Sequence, residues 1–438
     1  MTALVQDPGR VRDLAAAMAS GALTAEALVE RCLARIAAVD GQVQAWLHLQ
    51  AEAARATARA LDAERRRTGT VRGPLHGIPV AVKDVIDVAG LPTRANSPSR
   101  ADAPPATADA TVVAHLRAAG AIVLGKVHTT EYAYFQSLPP TRNPHDPSRT
   151  PGGSSAGSGA AVAAGTAPLA LGTHTAGSVN RPAAYTGVGA FKPSTRAIGG
   201  AGVLPLAPSF DTVGAFGATA QDAAHLAAGY AADHLGLAGT PPAAAAVAPR
   251  VVVLEDPLIA GRVAPATAAC LAALADRLAA AGLPVRRAAS PFPLEEALAT
   301  HRVVMAAELG RTHARLPRDR VAPKIAEDIE AGLAIPEAEY LAGLHALAAF
   351  RRAFWAGFGP EDLLLMPAAP DVAPAADTTG DPSFVVPTTA LGGPVATLRA
   401  GMAPDSRMPV GALLFGAPGK DARLAAFLLS DTGTRLDL

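Results

Sequence analysis

Residues 150–165 read TPGGSSAGSGAAVAAG, three serines and five glycines that run into alanine. A flexible linker, a phosphate cradle and the floor of an active site can all be written in such residues. Gly/Ser linkers sit between polar or Pro-rich segments. This stretch instead runs on through GAAVAAGTAPLALGT (159–173), which is apolar and suited to burial. A P-loop ends in Gly-Lys-Ser/Thr, because the lysine meets the phosphates and the hydroxyl meets the metal. No lysine or arginine stands between Arg149 and Arg181. Hydrolase chemistry remains, in two versions. In the first, Gly153-Ser154-Ser155-Ala156-Gly157 fits the G-x-S-x-G nucleophile elbow with Ser155 as nucleophile. That version needs a carboxylate and a histidine downstream. His225, His234, His301, His313 and His345 are available, none in a distinctive setting.

Composition narrows the partners. The 438 residues carry 38 basic and 38 acidic side chains, so no net charge recommends a nucleic acid or an anionic membrane. Half the residues are hydrophobic, enough for a large core. Cys32 and Cys270 make neither a disulfide framework nor a metal cluster. The opening MTALVQDPGR lacks an apolar signal core, and Gly and Pro interrupt the long alanine runs, so a soluble cytoplasmic protein is expected.

Along the chain, residues 8–66 read as helices. Ala25, Leu28, Val29, Cys32, Leu33 and Ile36 recur at spacings of three and four, the period of one helix face. IPVAVKDVID (78–87) reads as a strand. DATVVAHLRAAG (109–120) reads as a short helix with Asp109 as N-cap and Gly120 as its stop. AIVLGKV, RVVVLED (250–256) and LPVRRA are further strands, and 265–282 is a helix with Leu271, Leu274 and Leu278 on one face. Residues 236–249 read as a surface connection. Alternating strands and helices of this kind imply an α/β fold around a buried sheet.

The second hydrolase version uses more of the chain. LGTHTAGSVNRPAAYTG (171–187) is another small-residue turn after an apolar strand, with Ser178 in it, and PLHGIPVAVKDVIDVAG (74–90) sets Lys83 in apolar surroundings. Together with GKVHTTEYAY (125–134), FKPS (191–194), GVLPLAPSFDTVG (202–214), DLLLMPAAP (362–370) and MPVGALLFGAPGKDARLAAF (408–427), these segments resemble the amidase signature family of serine hydrolases. The resemblance runs in order over nearly the whole chain. It implies one domain, 1–438, with a large mixed β-sheet covered by helices on both faces. A helical N-terminal region of about 1–70 and a helical insert of about 320–360 belong to it. Tyr340, Phe350, Phe354, Trp355 and Phe358 of that insert either wall the substrate pocket or simply pack as helix core.

The resemblance also implies a triad without histidine. Ser178 is the nucleophile, Ser154 relays its proton after a cis peptide bond from Gly153, and Lys83 is the base. Backbone N–H groups of Thr175, Ala176, Gly177 and Ser178 form the oxyanion hole. No cofactor or metal is required. A lysine serves as a base only if its pKa falls from about 10.4, and burial does that. The competing role for Lys83 is an ion pair with Asp84 or Asp87. Ser155 and Ser158 are expected to make supporting hydrogen bonds. Where the family commonly has Asp, Gly and Arg at positions 174, 176 and 180, this chain has His174, Ala176 and Asn180. His174 is expected to brace its loop. Arg181 either replaces the missing arginine toward a substrate carboxylate or pairs with a structural one. A neutral small-molecule amide is the expected substrate, and a carbamate, aryl amide or ester the alternative. The chain is expected to act as a monomer or homodimer. A degenerate, non-enzymatic scaffold is the remaining reading.

Overall fold

The computed structural model describes residues 3–134, 137–233 and 249–438. His234 and all but Pro249 of the connection expected at 236–249 lie outside these residues. Among the described residues one mixed sheet of eleven strands organises the molecule. In chain order these are β1 (Trp46–Leu49), β2 (Pro79–Lys83), β3 (Ile122–Val127), β4 (Leu169–His174), β5 (Gly189–Lys192) and β6 (Thr212–Gly217). They continue with β7 (Arg250–Glu255), β8 (Val285–Ala289), β9 (Asp362–Pro367), β10 (Val395–Met402) and β11 (Pro409–Phe415). The order across the sheet is β1-β3-β2-β4-β6-β5-β10-β11-β9-β7-β8. Two parallel groups, β3-β2-β4 and β9-β7-β8, flank an antiparallel centre.

Successive side chains of a strand point to opposite faces. In β9, Leu363 and Leu365 join one buried cluster, and Leu364 and Met366 join another. Strands β7 and β11 divide in the same way, Val251 and Val253 against Val252 and Leu254, and Ala412 and Leu414 against Leu413 and Phe415. Both faces are therefore covered, which explains why these strands are continuous apolar runs. Helix Pro265–Ala280 supplies Cys270, Leu274 and Leu278 to the first cluster. Helix Leu294–Thr312 supplies Leu294, Leu298 and Val304 to the second.

The N-terminal stripe is buried at Ala25, Leu28, Val29, Cys32 and Ile36, with Leu33 half-buried. The helical reading of 8–66 needs one correction, because β1 interrupts it. Gln44 turns left-handed after helix Ala25–Val43, and the Asp40 carboxylate accepts the Ala45 and Trp46 N–H groups. The freed chain pairs with β3 at a bulge where Gly125 (φ +154°) lets the His48 carbonyl approach; a Cβ there would lie 2.0 Å from that oxygen. Asp109 is not the N-cap of its helix. Its carboxylate accepts the Ala89 N–H and the Arg117 guanidinium, and Ala110 takes the cap position.

The insert comprises helices Pro323–Leu333 and Glu337–Ala356. Its aromatics pack as core: Phe350 and Phe354 meet Phe292, Trp355 meets Phe415, and the Trp355 indole donates to the Leu391 carbonyl. These contacts account for Phe350, Phe354 and Trp355 by packing. The Tyr340 hydroxyl donates to Glu308, which also receives the Ser209 hydroxyl.

Candidate active site

Lys83 ends β2, and Thr173 stands near the end of the neighbouring parallel strand β4, in register through Val82 and Leu171. The carboxyl ends of parallel strands are where α/β sheets leave room for ligands. Two loops close over this end. One carries Ser154 and enters helix Ala156–Ala163; the other follows β4 and carries Ser178. They fit because residues between them are small. A Cβ on Gly172 would lie 2.8 Å from Ser155 Oγ and 2.6 Å from the Phe216 ring.

The Lys83 side chain is fully buried. Its Nζ donates to Ser154 Oγ at 2.7 Å and to Thr173 Oγ1 at 2.7 Å, with the Thr173 carbonyl at 3.5 Å. Among the described residues no carboxylate comes within ion-pair distance of it. The pairing considered for Asp84 goes elsewhere: Asp84 binds Lys126 at 2.9 Å, both buried. Asp87 accepts the Thr93 hydroxyl. Burial pulls the Lys83 pKa well below its ordinary 10.5, and the Asp211 charge opposes this only in part. Asp211 is held by the Thr175 hydroxyl at 2.6 Å and by the Leu206 and Ala207 N–H groups. Burial raises its own pKa.

The Gly153–Ser154 peptide bond is cis. Arg181 Nη2 donates to the Gly153 carbonyl at 2.8 Å. This fully buried guanidinium, lowered to about 10 by burial, supports the serine loop's backbone. Ser178 is nearly buried, and its carbonyl accepts the Ser155 N–H at 3.4 Å. Among the described residues no hydrogen bond joins the Ser154 and Ser178 hydroxyls. The expected chain is thus formed from Lys83 to Ser154 and open between the serines.

Ser155 is not set up as a nucleophile, which corrects the elbow alternative. Its Oγ donates to the Thr173 carbonyl at 3.2 Å and accepts the Thr173 N–H at 3.3 Å, fastening the loop to β4. Ser158 Oγ donates to the Leu171 carbonyl at 2.9 Å. Among the described residues no histidine is hydrogen-bonded to Ser155. His301 donates to the Thr175 carbonyl, and His313 packs against Tyr132 with the rings tilted at 57°.

The four expected oxyanion donors, Thr175, Ala176, Gly177 and Ser178, lie together after β4. Gly177 N–H is 3.3 Å from His174 Nε2. His174 also meets Thr389 Oγ1 at 2.6 Å and Val179 N at 3.3 Å, so it braces this loop from inside. Asn180 donates to Thr397 in β10 and is structural. A cavity of about 350 Å³ opens beside the site. Its lining mixes Thr173, Thr175, Arg196 and Asp211 with Ile198, Val203 and Leu204.

Sequence reasoning did not single out Thr173, Asp211 or Thr389. The first two lie inside motif segments already read, beside His174 and before β6, but nothing local marks their partners. Among the described residues no helix is long and apolar enough to cross a membrane, and no three His, Cys, Asp or Glu side chains converge as a metal site.

Residues 27–425 match the family model described as Amidase. The chain belongs to the amidase family. It is 34% identical over 452 residues to the 1-carboxybiuret hydrolase subunit AtzE of Pseudomonas sp. (strain ADP), covering 95% of this chain and 97% of that one. A glutamyl-tRNA(Gln) amidotransferase subunit of Chloroflexus aurantiacus is 40% identical over 216 residues. That match spans 48% of this chain and only 44% of the relative. Among solved structures, the peptide amidase of Stenotrophomonas maltophilia superposes with a TM-score of 0.79 at 28% identity, covering 98% of this chain and 96% of that one. The mixed eleven-stranded sheet of this family member is the amidase signature fold.

Proposed function

We propose that this chain is an amidohydrolase that cleaves the C–N bond of small-molecule amides by acyl transfer through Ser178, Ser154 and Lys83. One observation carries the reading: a fully buried lysine, free of any carboxylate contact among the described residues, donates to Ser154 at 2.7 Å. A lysine paired for structure would be charged; one held in an apolar strand is neutral and basic.

In this reading the neutral Lys83 amine takes the Ser154 proton while Ser154 takes that of Ser178. The Ser178 oxygen attacks the amide carbon, and the carbonyl oxygen becomes an oxyanion held by N–H groups of residues 175–178. As the C–N bond breaks, the proton returns through Ser154 to the leaving nitrogen. Water then attacks the acyl-serine ester by the same relay, releasing the carboxylic acid and restoring Ser178. The open gap between the serines fits a site that tightens on substrate, as catalytic hydrogen bonds commonly do. The cavity, apolar at Ile198, Val203 and Leu204 and polar at Arg196 and Asp211, suits a small amide. It equally suits a carbamate, whose carbonyl the same machinery attacks.

The test is a hydrolysis screen of the purified protein across aliphatic amides, anilides, carbamates, esters and ureas. Ser178→Ala, Ser154→Ala and Lys83→Ala are run alongside. Each variant is expected to stay folded and lose nearly all turnover. A serine-directed fluorophosphonate is expected to label Ser178. Full activity in Lys83→Ala ends the reading, and no labelling with no turnover favours a scaffold.

A further inference from the structure

The buried imidazole of His174 has three polar neighbours and, when neutral, one acceptor nitrogen. Nε2 meets Thr389 Oγ1 at 2.6 Å and Gly177 N at 3.3 Å, and Nδ1 meets Val179 N at 3.3 Å. Burial, helped by the nearby charges of Lys192 and Arg181, drives its pKa well below 6.5, so the ring is neutral. Two tautomers are then possible. With the proton on Nδ1, that N–H faces the Val179 N–H, two donors together. With the proton on Nε2, Nδ1 accepts the Val179 N–H. Nε2–H then donates to Thr389 Oγ1, whose own hydroxyl turns to the Val385 carbonyl at 3.5 Å. The donor left over is then the Gly177 N–H.

The two leftovers are not equivalent. Among the described residues neither N–H has another hydrogen-bond acceptor. Val179 is fully buried behind the loop, where an unmatched donor is costly. Gly177 stands one residue before Ser178 in a left-handed turn (φ +99°), and the acyl-transfer reading assigns its N–H to the oxyanion.

We propose that His174 is a positioning residue. Its Nε2–H tautomer anchors the 175–179 loop through Val179 and Thr389, and it holds the Gly177 N–H unclaimed for the oxyanion. The inference rests on the acyl-transfer reading for its catalytic consequence, but the tautomer does not.

Two variants separate the nitrogens. His174→Asn keeps an acceptor near the Nδ1 position, and His174→Gln places its amide near Nε2 and has no acceptor for Val179. His174→Asn is expected to hold kcat within about tenfold, and His174→Gln to lose roughly a hundredfold in kcat, the scale of one oxyanion donor. KM is expected to change little in either. Fluorophosphonate titration counts functional sites, so misfolding is separated from slow chemistry. Nitrogen-15 NMR of histidine-labelled wild type, with the signal assigned by its loss in His174→Asn, is expected to show a protonated Nε2 and a bare Nδ1. A protonated Nδ1 overturns the proposal, as do equal kcat losses in the two variants. If Ser178→Ala remains active, the acyl-transfer reading fails instead, and the NMR result still decides the tautomer.

Discussion

Replacing Lys83 by methionine should abolish hydrolysis and yet leave the protein at least as stable at neutral pH. A lysine whose folded pKa is depressed costs the native state about 1.4 kcal/mol per unit of depression, below that pKa. Its cause here is burial without a contacting carboxylate. Methionine fills similar volume but deprives Ser154 Oγ and Thr173 Oγ1 of their donor, at about 1 kcal/mol each. A lysine lowered well below its ordinary value offsets that loss, so the exchange is expected to be neutral or stabilising. The sign with pH follows. Between the lowered folded pKa and the unfolded value near 10.5, the unfolded chain holds the extra proton. Wild-type stability therefore rises with pH across that window relative to Lys83→Met, with a slope of up to about 1.4 kcal/mol per unit. Lys126 and Lys192, also lowered by burial, are present in both proteins and cancel in the difference. Urea unfolding of both proteins at several pH values from 6 to about 10 measures it. The acid limb of kcat/KM should rise with pH over the same titration. A stability difference that is flat with pH, or turnover that survives in Lys83→Met, refutes the reasoning.

Three further outcomes follow from named contacts. Ser155→Ala loses the clasp on the Thr173 backbone, so chemical denaturation should show a loss of about 1–3 kcal/mol while fluorophosphonate still labels Ser178; abolished labelling in a folded protein would revive the elbow reading. Arg181→Gln removes the charged donor to the Gly153 carbonyl, worth about 1.5–3 kcal/mol, and Ser178 labelling should slow roughly ten- to hundredfold. Asp84→Asn breaks the buried pair with Lys126 and should cost about 3–5 kcal/mol in unfolding, against under 1 kcal/mol for removing the exposed partner in Arg287→Gln, which pairs with Glu255.

Much of the site was written in local sequence. One lysine in an apolar strand, a Gly/Ser turn before an alanine helix and a second small-residue turn after a strand stand where the chain places Lys83, Ser154 and Ser178. The family resemblance made them legible as a triad, because a lysine in an apolar strand is not distinctive by itself: Lys126 in β3 pairs with Asp84. The short strand β1 was missed because four residues, WLHL, carry no period of their own, and only the free edge of β3 makes them a strand.

Sequence by itself determined the longer helices and apolar strands, the two-faced burial of those strands and which residue types were available for acyl transfer. Tertiary structure alone decided the partners. Lys83 and Thr173 are 90 positions apart, and only the parallel register of β2 on β4 brings them together. Asp84, the residue after β2, meets Lys126 of the other neighbouring strand, β3. Arg181, open in the sequence to either carboxylate role, instead holds the Gly153 carbonyl because two loops 28 residues apart fold over one strand end. Pairings of this kind depend on long-range packing, which no local pattern encodes.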